Sequence, residues 1–171
     1  LTTRRTIVRG DGSTAHEGIF DLETGEFLRQ STHQGWRGDS SWARGQAWAL
    51  YGFDTVYRMT SDHRFLQTSQ MCADYYLAKT KFEDDAPFGP GVPPNDWDEP
   101  DSDVESSAAA ITASGLFNLS QSTQDPLKAQ QYENAALTIM DTLTTSEYLA
   151  NQTEGWEGIL KHGCYHQRKG L

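Results

Sequence analysis

Five prolines crowd one stretch of this chain, at Pro87, Pro90, Pro93, Pro94 and Pro100. No helix can run through it, because each ring removes a backbone donor and clashes with the preceding turn. Residues 84–103 are therefore read as a long loop rich in Pro and Asp, separating two helical segments before it from two after it. A structureless segment of that length inside a compact domain is usually functional or mobile.

Hydrophobic spacing defines the helices. Trp42, Gln46, Ala49, Leu50, Phe53 and Tyr57 recur at three- and four-residue steps, predicting a helix from Ser41 to about Thr60, capped by Asp39 or Ser40. A second, over 62–80, buries Phe65, Leu66, Ser69, Met71, Cys72, Tyr75, Tyr76 and Leu77. The third, over 104–120, is built of small residues: Ser106-Ser107-Ala108-Ala109-Ala110, then Ala113, Ser114 and Gly115. The fourth, over 126–144, has Pro126 at a first-turn position. Residues 1–40 show no helical period. There Thr24-Gly25 marks the tip of a short β-hairpin between Ile19-Phe20 and Phe27-Leu28. Beyond the fourth helix, Tyr148-Leu149, Trp156 and Ile159-Leu160 stand as isolated anchors among polar turns.

The helices alternate in kind. The first and third are rich in Trp, Ala, Ser and Gly and poor in charge, as enclosed helices are. The second carries Asp62, His63, Arg64, Asp74 and Lys79, and the fourth carries Asp125, Lys128 and Glu133, as amphipathic helices do. Two concentric helical layers would produce this alternation. Trp42, Ala49, Phe53, Ala109 and Ala113 are then expected to be buried, with Lys79, Lys128 and Glu133 facing water. The rival is a single up-down bundle, for which four helices suffice. The Pro-rich connection and the hairpin argue against it.

Charge narrows the function. With 14 Lys+Arg against 24 Asp+Glu, the formal net charge is −10, unsuited to nucleic acid or an anionic membrane surface, which demand clustered cations. No apolar run approaches the roughly 18 residues that span a bilayer. Hydrophobic residues make up 36% of the chain and charged residues 22%, an ordinary globular composition. The two cysteines, Cys72 and Cys164, lack the four-ligand spacing of a structural zinc site. Two thiols or one disulfide remain open. Leu1 and the abrupt Lys169-Gly170-Leu171 read as the ends of a piece. The expectation is one incomplete domain over 1–171, truncated at both ends.

Chemistry concentrates in residues 33–48, which hold His33, Gln34, Trp36, Arg37, Trp42, Arg44, Gln46 and Trp48. Trp faces suit sugar rings, whose C–H face is apolar while the hydroxyls reach donors and acceptors. Arg44 lies in the first turn of its helix, where an anion is favoured, and Arg holds a carboxylate in bidentate fashion. Arg44 and Trp48 are four residues apart and share a face. Two readings fit: a ligand carboxylate held by Arg44, or a structural acid paired with it while the Trp residues fill core.

The segments Asp11-Gly12-Ser13-Thr14-Ala15-His16, Phe20-Asp21-Leu22-Glu23-Thr24-Gly25 and HQGWRGDSSWARGQAWALYGF resemble the unsaturated glucuronyl hydrolases of glycoside hydrolase family 88. Glu105-Ser106-Ser107-Ala108-Ala109-Ala110-Ile111 and the stretch from Lys161-His162-Gly163 to the end resemble that family too, in the same order. The resemblance implies an all-α fold, part of an α/α six-barrel, with the hairpin and long loops near the N-terminus. It implies a hydrolase for oligosaccharides ending in a Δ4,5-unsaturated glucuronic acid. Hydration of the C4=C5 enol ether gives a hemiketal that opens, and no metal or organic cofactor is needed.

By motif match the resemblance puts Ser40, Trp42, Arg44 and Trp48 on substrate-contact positions, and His16, His33 and Gln34 along the same pocket. For His16 and His33 a purely structural role is the competing reading, and Trp97-Asp98 is a candidate for the pocket rim. The catalytic aspartates of the family lie upstream of the segment resembling Asp11 to His16, so no catalytic residue is assigned here. Asp21, Asp39, Asp54 and Asp98 match no acid role, and Glu105 stands where the family commonly has Asp. The rivals are an unsaturated rhamnogalacturonyl hydrolase, with the same barrel and chemistry, and a non-catalytic carbohydrate-binding relic. Asn118-Leu119-Ser120 and Asn151-Gln152-Thr153 are sequons, which do not by themselves establish secretion.

Overall fold

The computed structural model describes residues 2–169; Leu1, Gly170 and Leu171, on which the reading of the chain ends partly rests, lie outside the described residues. The order of elements is α1 (Thr2–Thr6), β1 (Glu17–Phe20), β2 (Phe27–Ser31), α2 (Ala43–Thr60), α3 (His63–Lys79), α4 (Ser106–Ser122) and α5 (Pro126–Leu143), then a 3-10 turn at Gln167–Lys169. The fold is all-α apart from the two-stranded antiparallel hairpin β1–β2.

α2 and α4 lie side by side, α3 packs on α2, and α5 packs on α4. This is the arrangement of two inner helices, each backed by an outer one. The inner pair approaches closely because α4 offers small residues: a Cβ on Gly115 would lie 2.4 Å from Leu50 Cδ1 and 3.2 Å from Tyr51 Cα. Leu50, Cys72, Tyr76, Leu116, Leu119, Tyr132, Ala136 and Ile139 form the core where the four helices meet. The Pro-rich loop is part of it. Val92 is buried, the Tyr76 hydroxyl donates to the Gly91 carbonyl at 2.8 Å, and Trp97 sits edge-on to Tyr75 and Tyr76.

Local chemistry starts two helices, with Pro126 in the first turn of α5 as expected. Asp62 accepts from Arg64 N–H at the head of α3, and Asp125 accepts from Leu127 and Lys128 N–H ahead of Pro126 in α5. α2 differs. It begins at Ala43 with Trp42 as an N-cap whose side chain caps none of the helix N–H groups, because Asp39 pairs with Arg37 and the Ser40 hydroxyl is bonded to Asp96. The Pro-rich loop does the capping: Asp98 Oδ2 accepts from Ser41 N–H and the Asn95 carbonyl accepts from Ala43 N–H. α1 was not foreseen, since five residues are too few to show a period.

Burial corrects the expected enclosure of α2. Trp42, Ala109 and Ala113 are buried, while Lys79 and Glu133 are exposed. Ala49 and Phe53 are only half-buried, because they lie on a face of α2 that lines an open cavity. Lys128 is half-buried, its ammonium held by Asp74 at 2.7 Å.

Candidate active site

A cavity of about 710 Å³ opens along α2, lined among others by Ile7, His16, Trp42, Trp48, Phe53 and Val56. Its walls are mainly apolar, and its size falls in the range that takes small-molecule ligands. Three of the residues singled out from sequence meet there. Trp48 projects into it with half its surface exposed (53%). Trp42 is buried, its indole N–H donating to Asn95 Oδ1 at 3.1 Å. His16 packs on Trp42 with 4.3 Å between ring centroids.

The other four are placed differently. Gln34 Nε2 donates to the Tyr165 carbonyl at 2.9 Å, and the exposed His33 ring meets His166 edge-on at 5.5 Å. Arg44 lies over the Trp42 ring, 4.7 Å from its centroid. Its Nη1 donates to Glu105 Oε2, to Ser107 Oγ and to the Cys164 carbonyl, and its Nη2 donates to the Tyr165 carbonyl. The acid expected as one possible partner for Arg44 is thus Glu105, wholly buried, whose other oxygen caps α4 through Ser107 N–H. Ser40 does not reach the cavity. It is buried (3% exposed), donates to Asp96 Oδ2 at 2.6 Å, and accepts from Arg37 N–H. Trp97 and Asp98 are likewise off the cavity, one packed on the tyrosines of α3 and the other capping the approach to α2.

Sequence reasoning missed three organising residues. Asp96 is buried and gathers Trp36 N–H, Ser40 O–H and Asp98 N–H. Arg9 ties the N-terminal segment to Gln30, Ser13, Ser41 and the carbonyls of Gly38 and Ser40. Thr32 bonds His16 Nδ1 and Gly35 N–H. Only Asp96 carried a signal, as an acid inside a proline-rich loop.

Burial sets the titration of the groups nearby. It lowers the pKa of His16, with Arg44 and His33 acting in the same direction and Glu17 opposing them. It pushes the Cys72 thiol up to about 12 and the Cys164 thiol up to about 11. Among the described residues neither cysteine forms a disulfide, and both thiols are protonated at neutral pH. Among the described residues no group of three or more His, Cys, Asp or Glu could hold a metal ion.

Inner helices backed by outer ones, with an aromatic cavity along α2, make this chain part of a layered fold of helical hairpins. Over its whole length the chain is a relative of the unsaturated glucuronyl hydrolases. It is 37% identical over 177 residues to the unsaturated glucuronyl hydrolase of Bacillus sp. strain GL1, an alignment covering all of this chain and 44% of that protein. The crystal structure of an unsaturated glucuronyl hydrolase from Bacillus sp. GL1, responsible for the degradation of glycosaminoglycan, superposes with a TM-score of 0.87 at 35% identity. It matches 99% of this chain and 44% of that one. A variant of the Streptococcus agalactiae unsaturated glucuronyl hydrolase, complexed with dGlcA-GalNAc6S, gives a TM-score of 0.76 at 31% identity, over 96% and 42%. The chain spans less than half the length of these relatives. No family model matches it.

Proposed function

We propose that this chain supplies substrate-binding walls of a glycoside hydrolase acting on oligosaccharides that end in a Δ4,5-unsaturated uronic acid, as part of a single α/α-barrel catalytic domain. The observation that carries this reading is the meeting of His16, Trp42 and Trp48 in one open cavity, in a chain related throughout to enzymes named for that substrate. The complex of one such relative with dGlcA-GalNAc6S supports the same ligand class.

Each side chain has a part. The exposed indole of Trp48 stacks on the C–H face of a sugar ring, and Trp42 closes the wall behind it. Gln34 and His33 hold the segment at residues 165–166, beside the Arg44 contact to the Tyr165 carbonyl. Among the described residues Arg44 Nε makes no hydrogen bond. The Nε–H is therefore the donor of the guanidinium left for a uronate carboxylate. Ser40 acts from behind, holding the 36–41 turn against Asp96.

In the proposed reaction a proton is added at C4 of the enol ether, water adds at C5, and the hemiketal opens to release the next sugar. One carboxyl group of poised pKa can give the first proton and take one from the water. That group is not assigned to any residue of this chain. Titration of chain 1–171 with an unsaturated uronyl disaccharide, followed by Trp fluorescence and by the C4=C5 absorbance, tests the reading. Saturable quenching with no loss of absorbance is expected. Absence of binding would remove the site, and turnover by 1–171 alone would overturn the statement that no acid–base residue lies in it.

A further inference from the structure

We propose that Thr32 and the backbone N–H groups of His33 and Gln34 lock His16 in its Nε2–H tautomer, so that the ring offers the cavity a hydrogen-bond donor and not a base. Thr32 is, on this view, a positioning residue acting through His16. The hairpin brings the parts together. β1 and β2 pair with Glu17 opposite Ser31, so the next residues outward, His16 and Thr32, face each other where the strands end.

Three groups then converge on one imidazole nitrogen. Thr32 Oγ1 lies 3.2 Å from His16 Nδ1, His33 N–H donates to it at 3.2 Å, and Gln34 N–H donates at 3.3 Å. Thr32 Oγ1 already accepts from Gly35 N–H at 2.8 Å, so its own hydrogen is free to point at the imidazole. A backbone N–H can only donate. A proton on Nδ1 would meet two N–H groups that the turn holds in place, and both bonds would be lost. Trp42, packed 4.3 Å away, resists a ring flip that would exchange Nδ1 for carbon. The remaining ring nitrogen, Nε2, has no partner among the described residues, and His16 lines the cavity.

The charged groups that reach the ring do not undo this. Glu17 favours the imidazolium, while Arg44, His33 and burial oppose it, and the opposing influences prevail. A neutral imidazole whose second nitrogen is fixed by its surroundings behaves as a one-way donor. The tautomer stands on the geometry alone. Only the identity of the acceptor, a hydroxyl or carboxylate oxygen of an unsaturated uronyl sugar, rests on the function proposed above.

The chain labelled with ¹⁵N-histidine tests this by long-range ¹H–¹⁵N spectra recorded across pH, with His16→Gln assigning the resonance. The wild type is expected to show a neutral ring with Nε2 protonated at pH 7. In Thr32→Val the titration moves up toward the ordinary imidazole range, and in Thr32→Ser it returns. An Nδ1–H ring or an imidazolium at pH 7 in the wild type would overturn the proposal, even if the valine variant failed to fold. An unchanged titration in folded Thr32→Val would remove Thr32 from it. An unsaturated uronyl disaccharide should shift the Nε2 resonance. A locked tautomer that ignores the sugar would sink the carbohydrate reading and leave the lock standing.

Discussion

Arg44 and Glu105, sixty-one positions apart, form an ion pair at the junction of α2 and α4, with the Arg44 side chain 15% exposed and Glu105 fully enclosed. Through it the start of one inner helix is tied to the cap of the other and to the backbone of Cys164 and Tyr165. Arg44, proposed above to hold a uronate carboxylate, is therefore a structural cross-brace in its own right.

Truncating that brace should reveal both duties. Arg44→Ala leaves Glu105 buried without its cation, which costs about 3–5 kcal/mol for a broken buried pair. Adding Glu105→Gln removes the stranded charge and should recover part of the loss. Arg44→Lys keeps the charge but not the planar fork, so stability should suffer less than affinity for an unsaturated uronyl disaccharide. Chemical denaturation and ligand titration on the three variants measure the two effects separately. Loss of stability with unaltered affinity in Arg44→Lys would confine Arg44 to its structural role.

Ser40 offers a contrasting case, since its hydroxyl is wholly occupied inside the fold. Ser40→Ala takes a donor from the buried Asp96 and an acceptor from Arg37 N–H, at a cost of about 1–3 kcal/mol. Thermal unfolding should register it. A variant as stable as the wild type but unable to bind sugar would mean that Ser40 reaches the ligand after all.

What the sequence disclosed and what it hid divide along the range of the interactions. Pro126 at the first turn of α5 was readable because its constraint is local. The four long helices were readable because their apolar spacing is regular. The start of α2 was hidden, because Asn95 and Asp98 serve it from more than fifty residues away. The open face of α2 was hidden too: a Trp, Ala and Gly composition does not say which side lines a cavity. At the site, motif resemblance named seven residues, of which His16, Trp42 and Trp48 line one cavity. The residue types around Arg44 left its partner undecided, since a protein carboxylate and a sugar carboxylate present the same chemistry to a guanidinium.

Asp54 carries a pH dependence with a definite sign. It is fully buried on α2, and among the described residues neither carboxyl oxygen has a hydrogen-bond partner. The nearby Ser122 hydroxyl donates to the Asn118 carbonyl instead. Burial raises the Asp54 pKa above the ordinary 3.8, against the opposing pull of the Arg58 charge. A carboxyl raised on folding binds its proton more tightly in the native state. It contributes stability near and below pH 3.8, and that contribution is lost as pH rises through the folded-state value. Asp54→Asn should therefore be more stable than the wild type at pH 7, with the advantage shrinking as the pH falls. Denaturation midpoints at several pH values check this, and a less stable Asn variant at pH 7 would show that the ionised carboxylate has a favourable partner.

The two tryptophans of the cavity should separate binding from folding. Trp42 is buried and hydrogen-bonded to Asn95, so Trp42→Ala should cost about 3–5 kcal/mol, as for other large core truncations, and weaken any ligand with it. Trp48 is 53% exposed and meets Tyr51 edge-on. Ala is a good helix former, so Trp48→Ala should leave α2 intact and change stability by roughly 0.5 kcal/mol, as surface substitutions do. The lost stacking surface should nonetheless weaken an unsaturated uronyl disaccharide by about 1–3 kcal/mol, the range of stacking on an aromatic side chain and about fivefold to over a hundredfold in affinity. Trp48→Phe keeps an aromatic plane and should recover much of that affinity. Isothermal titration and thermal unfolding on the same preparations give both numbers. Unchanged affinity in a well-folded Trp48→Ala would take Trp48 out of the site and leave the cavity without its sugar platform.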